Sequence, residues 1–151
     1  LLKFTRNTII AFDFKDALSF EGETGPYCQY AVVRIRGIRR KSAEGTRARI
    51  SNEFLQKVFS GLEGNGLWEV LLQAGSLDYA ADSAIGAQEP AFVAKFAFQL
   101  AQAFNNFYHK HHILSEEDAE KQAFLFGVVE IVEKQLTAAL RLLGIEAPER
   151  M

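Results

Sequence analysis

The sequence has a single cysteine, Cys28, so no internal disulfide is available, and a lone thiol fits a reducing cytoplasm. It has few prolines, and Pro26, Pro90 and Pro148 sit where helical patterns start or stop. No apolar run reaches the roughly 20 residues that a membrane span needs. Lys3, Arg6 and Asn7 interrupt the first apolar residues, so no signal-peptide pattern is read in them. No credible pair of alternating strands is present. Excess positive charge is also lacking: the net charge is −2.

What is present is an ordinary globular composition, 48% hydrophobic with 13 Phe, and 151 residues are enough for one domain with a real core. Charge is unevenly spread. Residues 1–50 hold ten Lys/Arg against five Asp/Glu, while the remainder is acidic. That asymmetry suits either an anionic partner for the first third or a solvated basic face. The start at Leu1, in mid-pattern and without Met, points to a piece of a longer protein.

The periodicity predicts an all-α fold, an antiparallel bundle of about five helices in one domain over 1–151, with 1–12 as an entering segment. Asp13 caps a short helix over 14–21. The next helix runs from about Pro26 to Lys41. It turns Cys28, Ala31, Val32 and Ile35 to the core and sets Tyr27, Tyr30, Arg34 and Lys41 on a neighbouring arc, with Arg36 and Arg40 on a third side. Ser51 caps a helix over 52–60, and Trp68–Leu77 is a short helical stretch followed by a small-residue segment to Gln88. Pro90 opens a long helix with Phe92, Phe96, Leu100, Phe104, Phe107 and Tyr108 on one face. Ser115 to Asp118 form a capping-box pattern. The last helix carries Leu125, Val129, Val132, Leu136, Ala139, Leu140 and Leu143, and Gly144 terminates it.

Catalytic constellations are missing. His109, His111 and His112 could bind a metal, but no Cys or acid completes a ligand spacing, so a polar helix end is the simpler reading. The glycines near 61–66 lack the strand and the Lys-Ser/Thr of a phosphate loop. Cys28 lies on the core arc with no His at helical spacing, and capping explains Glu116, Glu117 and Asp118. No catalytic residue and no metal site are expected.

Two segments carry a resemblance. The first runs from Phe12-Asp13-Phe14 through Gly25-Pro26-Tyr27-Cys28-Gln29-Tyr30-Ala31-Val32-Val33-Arg34. The second joins Leu100 to Tyr108 with the end, Leu142-Leu143-Gly144-Ile145-Glu146-Ala147-Pro148-Glu149-Arg150-Met151. Together they resemble the C-terminal DALR anticodon-binding region of arginyl-tRNA synthetases. The middle, roughly 43–90, matches only in helical character.

That resemblance implies recognition of the anticodon loop of arginine tRNA. It places the ligase chemistry in a catalytic domain of the same polypeptide, so ATP and magnesium belong to the parent enzyme and no cofactor belongs to these residues. Tyr27, Tyr30 and Arg34 match the family's anticodon-facing helix. Tyr108 matches the Tyr of its Phe-Tyr pair, Met151 the terminal Met, and Asn106 or its neighbour Asn105 a polar position that can meet a base edge. On pattern alone Tyr27 and Tyr30 read first as half-buried packing residues, and the resemblance tips them toward the anticodon. The expected tRNA-binding set is Tyr27, Tyr30, Arg34, Arg36, Asn106, Tyr108 and Met151, on a cytoplasmic monomer with no membrane contact. The rivals are a helical protein-interaction bundle without RNA binding and a histidine-bound metal at 109–112.

Overall fold

The computed structural model describes residues 23–41, 50–61 and 66–151, with Phe4, Thr8, Ile9, Asp13 and Phe14. The entering segment 1–12 and the expected helix over 14–21 otherwise lie outside the described residues. Among the described residues there are six α-helices and no strand: α1 (Gly25–Lys41), α2 (Asn52–Ser60), α3 (Leu67–Ala74), α4 (Leu77–Ala87), α5 (Ala91–Lys110) and α6 (Ala119–Leu142). A 3₁₀ turn, Ile113–Ser115, leads into α6.

The bundle is built round α5. Val93, Phe96, Ala97, Leu100, Ala101, Ala103, Phe104 and Phe107 cover nearly half of its circumference and are all buried. α1, α3, α4 and α6 pack on that surface, and its alanines allow close approach. Phe92 falls at the edge of the apolar arc and is 41% exposed, so it is not the core residue its spacing suggested. α1 turns Cys28, Ala31, Val32, Ile35 and Ile38 inward. In α6 the expected stripe is buried from Leu125 to Leu140, and Leu143 is half-buried at the helix end. α2 is peripheral: Ser51 caps it through the Phe54 N–H at 3.0 Å, but it buries no residue fully, touching α6 through Phe54 and Phe124, whose rings are 5.9 Å apart.

Two boundaries differ from the sequence reading. The small-residue segment before Gln88 is helix α4. It lacks a large apolar stripe, but alanine is the strongest helix former, and Leu77 and Ala80 bury against α5. The cap of α6 is Asp118, not Ser115. Asp118 accepts from the Glu120 and Lys121 N–H groups, both at 3.0 Å. Ile113 is fully buried, and the 3₁₀ turn that inserts it uses Ser115, whose hydroxyl donates to the His112 carbonyl.

The end of α6 has consequences for the site. Gly144 adopts φ +71°, its N–H donates to Arg141 O, and Ile145 N–H donates to Leu140 O at 2.9 Å. This paired closure satisfies the last carbonyls and turns the tail back along α1.

Candidate nucleic-acid interface

Helical spacing puts Tyr27, Tyr30 and Arg34 on one flank of α1, and Asn105 and Tyr108 on the face of α5 beside it. The structure joins these five side chains. The Arg34 guanidinium carbon lies 4.9 Å from the Tyr30 ring centroid and 5.8 Å from that of Tyr108. Arg34 Nη1 donates to Asn105 Oδ1 at 2.9 Å, and Nη2 donates to the Tyr30 hydroxyl at 3.3 Å. Asn105 Nδ2 donates to the Tyr27 hydroxyl at 2.9 Å.

The three tyrosines are not equivalent. Tyr27 is half-buried, with its ring 5.4 Å from that of Phe98 and its hydroxyl on Asn105. It supports the cluster rather than offering a face. Tyr108 is half-buried and stacks on Phe104 at 6.1 Å. Tyr30 is 48% exposed, so it is the ring that a ligand can reach most easily. Chemically the cluster is a cation held against two aromatic rings, a combination that suits a flat π-face and a phosphate together.

Three of the expected site residues are not brought into this cluster. Asn106 lies two positions before Tyr108, about 160° away round α5, and is exposed; its neighbour Asn105 takes the place by the cluster. Sequence reasoning gave Asn105 only as the alternative to Asn106, although its i, i+3 spacing to Tyr108 puts Asn105 and Tyr108 on one face.

Arg36 is committed elsewhere, on the opposite flank of α1. Its Nε donates to Glu133 Oε1 on α6 at 3.1 Å, and its Nη1 donates to the carbonyls of Ala147 and Pro148 and pairs with Glu149. Gln29 donates to the Glu146 carbonyl, and Arg40 lies 3.9 Å from Glu149. Arg36 therefore clasps the tail to α1 and α6, with its donors engaged inside the chain. Arg39 shares Glu133, and the carboxylate's hydrogen bond and charge hold its guanidinium above the usual range. Met151 ends the clasped tail and is 59% exposed; no described contact joins it to Tyr30 or Arg34.

The histidine segment closes α5, with His111 as its cap and the rings of Phe107 and His111 4.8 Å apart. Among the described residues no group of three or more His, Cys, Asp or Glu is placed to share a metal ion. A groove of about 500 Å³ lies between the start of α1, the first half of α5 and the end of α6, lined by Cys28, Phe92, Lys95, Phe98 and Ile145 among others. Cys28 is 4% exposed, and burial pushes its thiol up to about 12, which suits packing and not nucleophilic attack.

The DALR anticodon binding domain matches residues 28–151. The chain belongs to that family. Relatives include an arginine–tRNA ligase from Exiguobacterium sibiricum, 38% identical over 150 residues, which cover 99% of this chain and 25% of that protein. Another, from Clostridium botulinum, is 37% identical over the same shares. Among solved structures, an arginyl-tRNA synthetase from Thermus thermophilus superposes with a TM-score of 0.76 at 28% identity, covering 93% of this chain and 23% of that one. The chain thus spans about a quarter of the length of the curated relatives it matches. The match takes in α1 from Cys28 onward and the whole of α5, and so includes Tyr30, Arg34, Asn105 and Tyr108.

Proposed function

We propose that the chain is the tRNA anticodon-loop recognition module of an arginine–tRNA ligase. It holds arginine tRNA for aminoacylation by a catalytic part lying in the other three quarters of such an enzyme. The observation that carries this reading is Arg34 set against the rings of Tyr30 and Tyr108, on helices within the family match. Anticodon bases are unpaired and can be splayed out. A base stacked on an exposed ring gains about 1–3 kcal/mol, and the guanidinium beside it meets phosphate or stacks in turn.

In this reading the module acts by position. It carries no bond-making step; ATP and magnesium serve the catalytic part of the same polypeptide. It works as a cytoplasmic monomer. No described helix is long and apolar enough to cross a membrane.

The test is binding of an arginine-tRNA transcript to the 151-residue chain across a range of salt. Affinity should fall as salt rises. The double substitution Tyr30→Ala, Arg34→Ala should weaken binding by at least about tenfold. Wild-type affinity in that variant removes the assignment of the site. A second reading, a protein-interaction bundle, draws on the exposed Phe59, Trp68 and Leu72 of α2 and α3, where the Phe59 and Trp68 rings meet edge-on at 5.9 Å. It expects no RNA binding at any salt concentration.

A further inference from the structure

We infer that Asn105 is a positioning residue that fixes Arg34 between the two tyrosine rings while leaving its charge intact; this rests on the RNA-binding reading above. The amide is held at both ends. Its Oδ1 accepts from Arg34 Nη1 and its Nδ2 donates to the Tyr27 hydroxyl, each at 2.9 Å. Arginine has no acceptor, so the contact with Arg34 fixes which end of the amide faces it. Tyr27 is itself anchored, with its ring against Phe98. The result is a continuous hydrogen-bonded line, Tyr27 to Asn105 to Arg34 to Tyr30, that crosses between α1 and α5.

A long arginine side chain gives up much rotamer freedom when it binds in one geometry. Fixing it beforehand removes that cost from the binding step. An aspartate at 105 could hold Arg34 equally well, but its charge would offset the guanidinium's. A neutral amide positions the cation and preserves its value to a phosphate. The i, i+3 spacing to Tyr108 sets Asn105 rather than Asn106 on the cluster's face, and the Tyr27 hydroxyl on the other helix holds its amide there.

Two substitutions split the two roles. Asn105→Ala removes the tether and keeps the cation, so affinity for an arginine-tRNA transcript should fall about tenfold with an unchanged salt slope. Asn105→Asp keeps the tether, with the Tyr27 hydroxyl now donating to the carboxylate. It should reduce the slope of log affinity against log salt by about 0.7, the value of one single-strand phosphate contact. Nitrogen NMR of the free chain reads the tether without RNA. Rotation of the Arg34 guanidinium should be hindered in the wild type and in Asn105→Asp, and fast in Asn105→Ala.

Free rotation in the wild type overturns the inference, as does an alanine variant that binds like wild type, or an aspartate variant that keeps the full slope. A wild-type chain that binds no transcript, yet shows a hindered Arg34 released by Asn105→Ala, overturns the RNA reading and leaves the positioning supported. If Asn105→Ala fails to fold, the aspartate slope and the wild-type spectrum decide.

Discussion

Arg34 and Tyr30, one helical turn apart on α1, touch in two ways: the guanidinium carbon is 4.9 Å from the ring centroid, and Nη2 donates to the ring's own hydroxyl at 3.3 Å. The contact depends on a flat cation with several donors. A lysine keeps the charge but loses both the plane and the fork. Arg34→Lys should therefore weaken binding of an arginine-tRNA transcript about five- to tenfold while leaving the salt slope close to that of wild type. Fluorescence anisotropy at several salt concentrations measures both. A lysine variant with full affinity would show that charge alone matters at this position.

Arg36 has the opposite expectation, because its work is within the chain. It links α1 to Glu133 on α6 and to the carbonyls of Ala147 and Pro148, with only 18% of its side chain exposed. Arg36→Met keeps the aliphatic stem and removes the donors. Stability should fall by about 1–2 kcal/mol in urea unfolding, since Glu133 keeps Arg39 as a partner. Residues 146–151 should become more open to hydrogen exchange and to carboxypeptidase. The salt slope of RNA binding should not change. A reduced slope would return Arg36 to the interface.

These two arginines mark where the sequence was legible. The core arc of α1 could be read because Cys28, Ala31, Val32 and Ile35 repeat at the helical period, and all four are buried. Gly144 announced the end of α6 because few other residues tolerate its backbone angle. Tyr30 and Arg34 fell on one arc by spacing alone. Arg36 could not be sorted in the same way. Its partners are 97 and 111 residues distant, and no local pattern encodes them. α4 was missed because a helix of small residues packed on one neighbour has almost no apolar stripe to detect. Spacing to Tyr108 was enough to favour Asn105 over Asn106, but the bond from Asn105 to Tyr27 spans 78 residues and no local pattern encodes it.

The buried thiol predicts a pH effect with a definite sign. Cys28 has a folded-state value of about 12 against 9.0 without burial. The unfolded chain therefore loses the thiol proton first as pH rises. The contribution is fully present below 9.0 and declines through the window up to about 12, at no more than about 1.4 kcal/mol per pH unit. Other groups also titrate there, so the comparison is with Cys28→Ala, which removes this one titrating group and adds a pH-independent packing cost that cancels in the pH trend. The stability difference between wild type and variant should shift against wild type as pH goes from about 8 to about 10 in urea unfolding. A difference that is constant with pH would mean the thiolate is tolerated in the fold.

Two glycines should answer the same substitution with opposite signs. Gly127 lies inside α6, and a Cβ built there meets nothing within 4 Å. Alanine gains helix propensity with no clash, so Gly127→Ala should stabilise by up to about 1 kcal/mol. A Cβ at Gly144 also meets nothing within 4 Å, but the backbone there has φ +71°. Space is therefore not what limits the position. A side chain in the left-handed region costs about 1–2 kcal/mol, and Gly144→Ala should destabilise by that amount. Relaxing the backbone to avoid that cost would break the Ile145 N–H bond to Leu140 O and disturb the tail that Arg36 holds. Thermal unfolding of both variants against wild type checks the pair. Two shifts of the same sign would mean that neighbouring atoms, not the backbone angle, govern the end of α6.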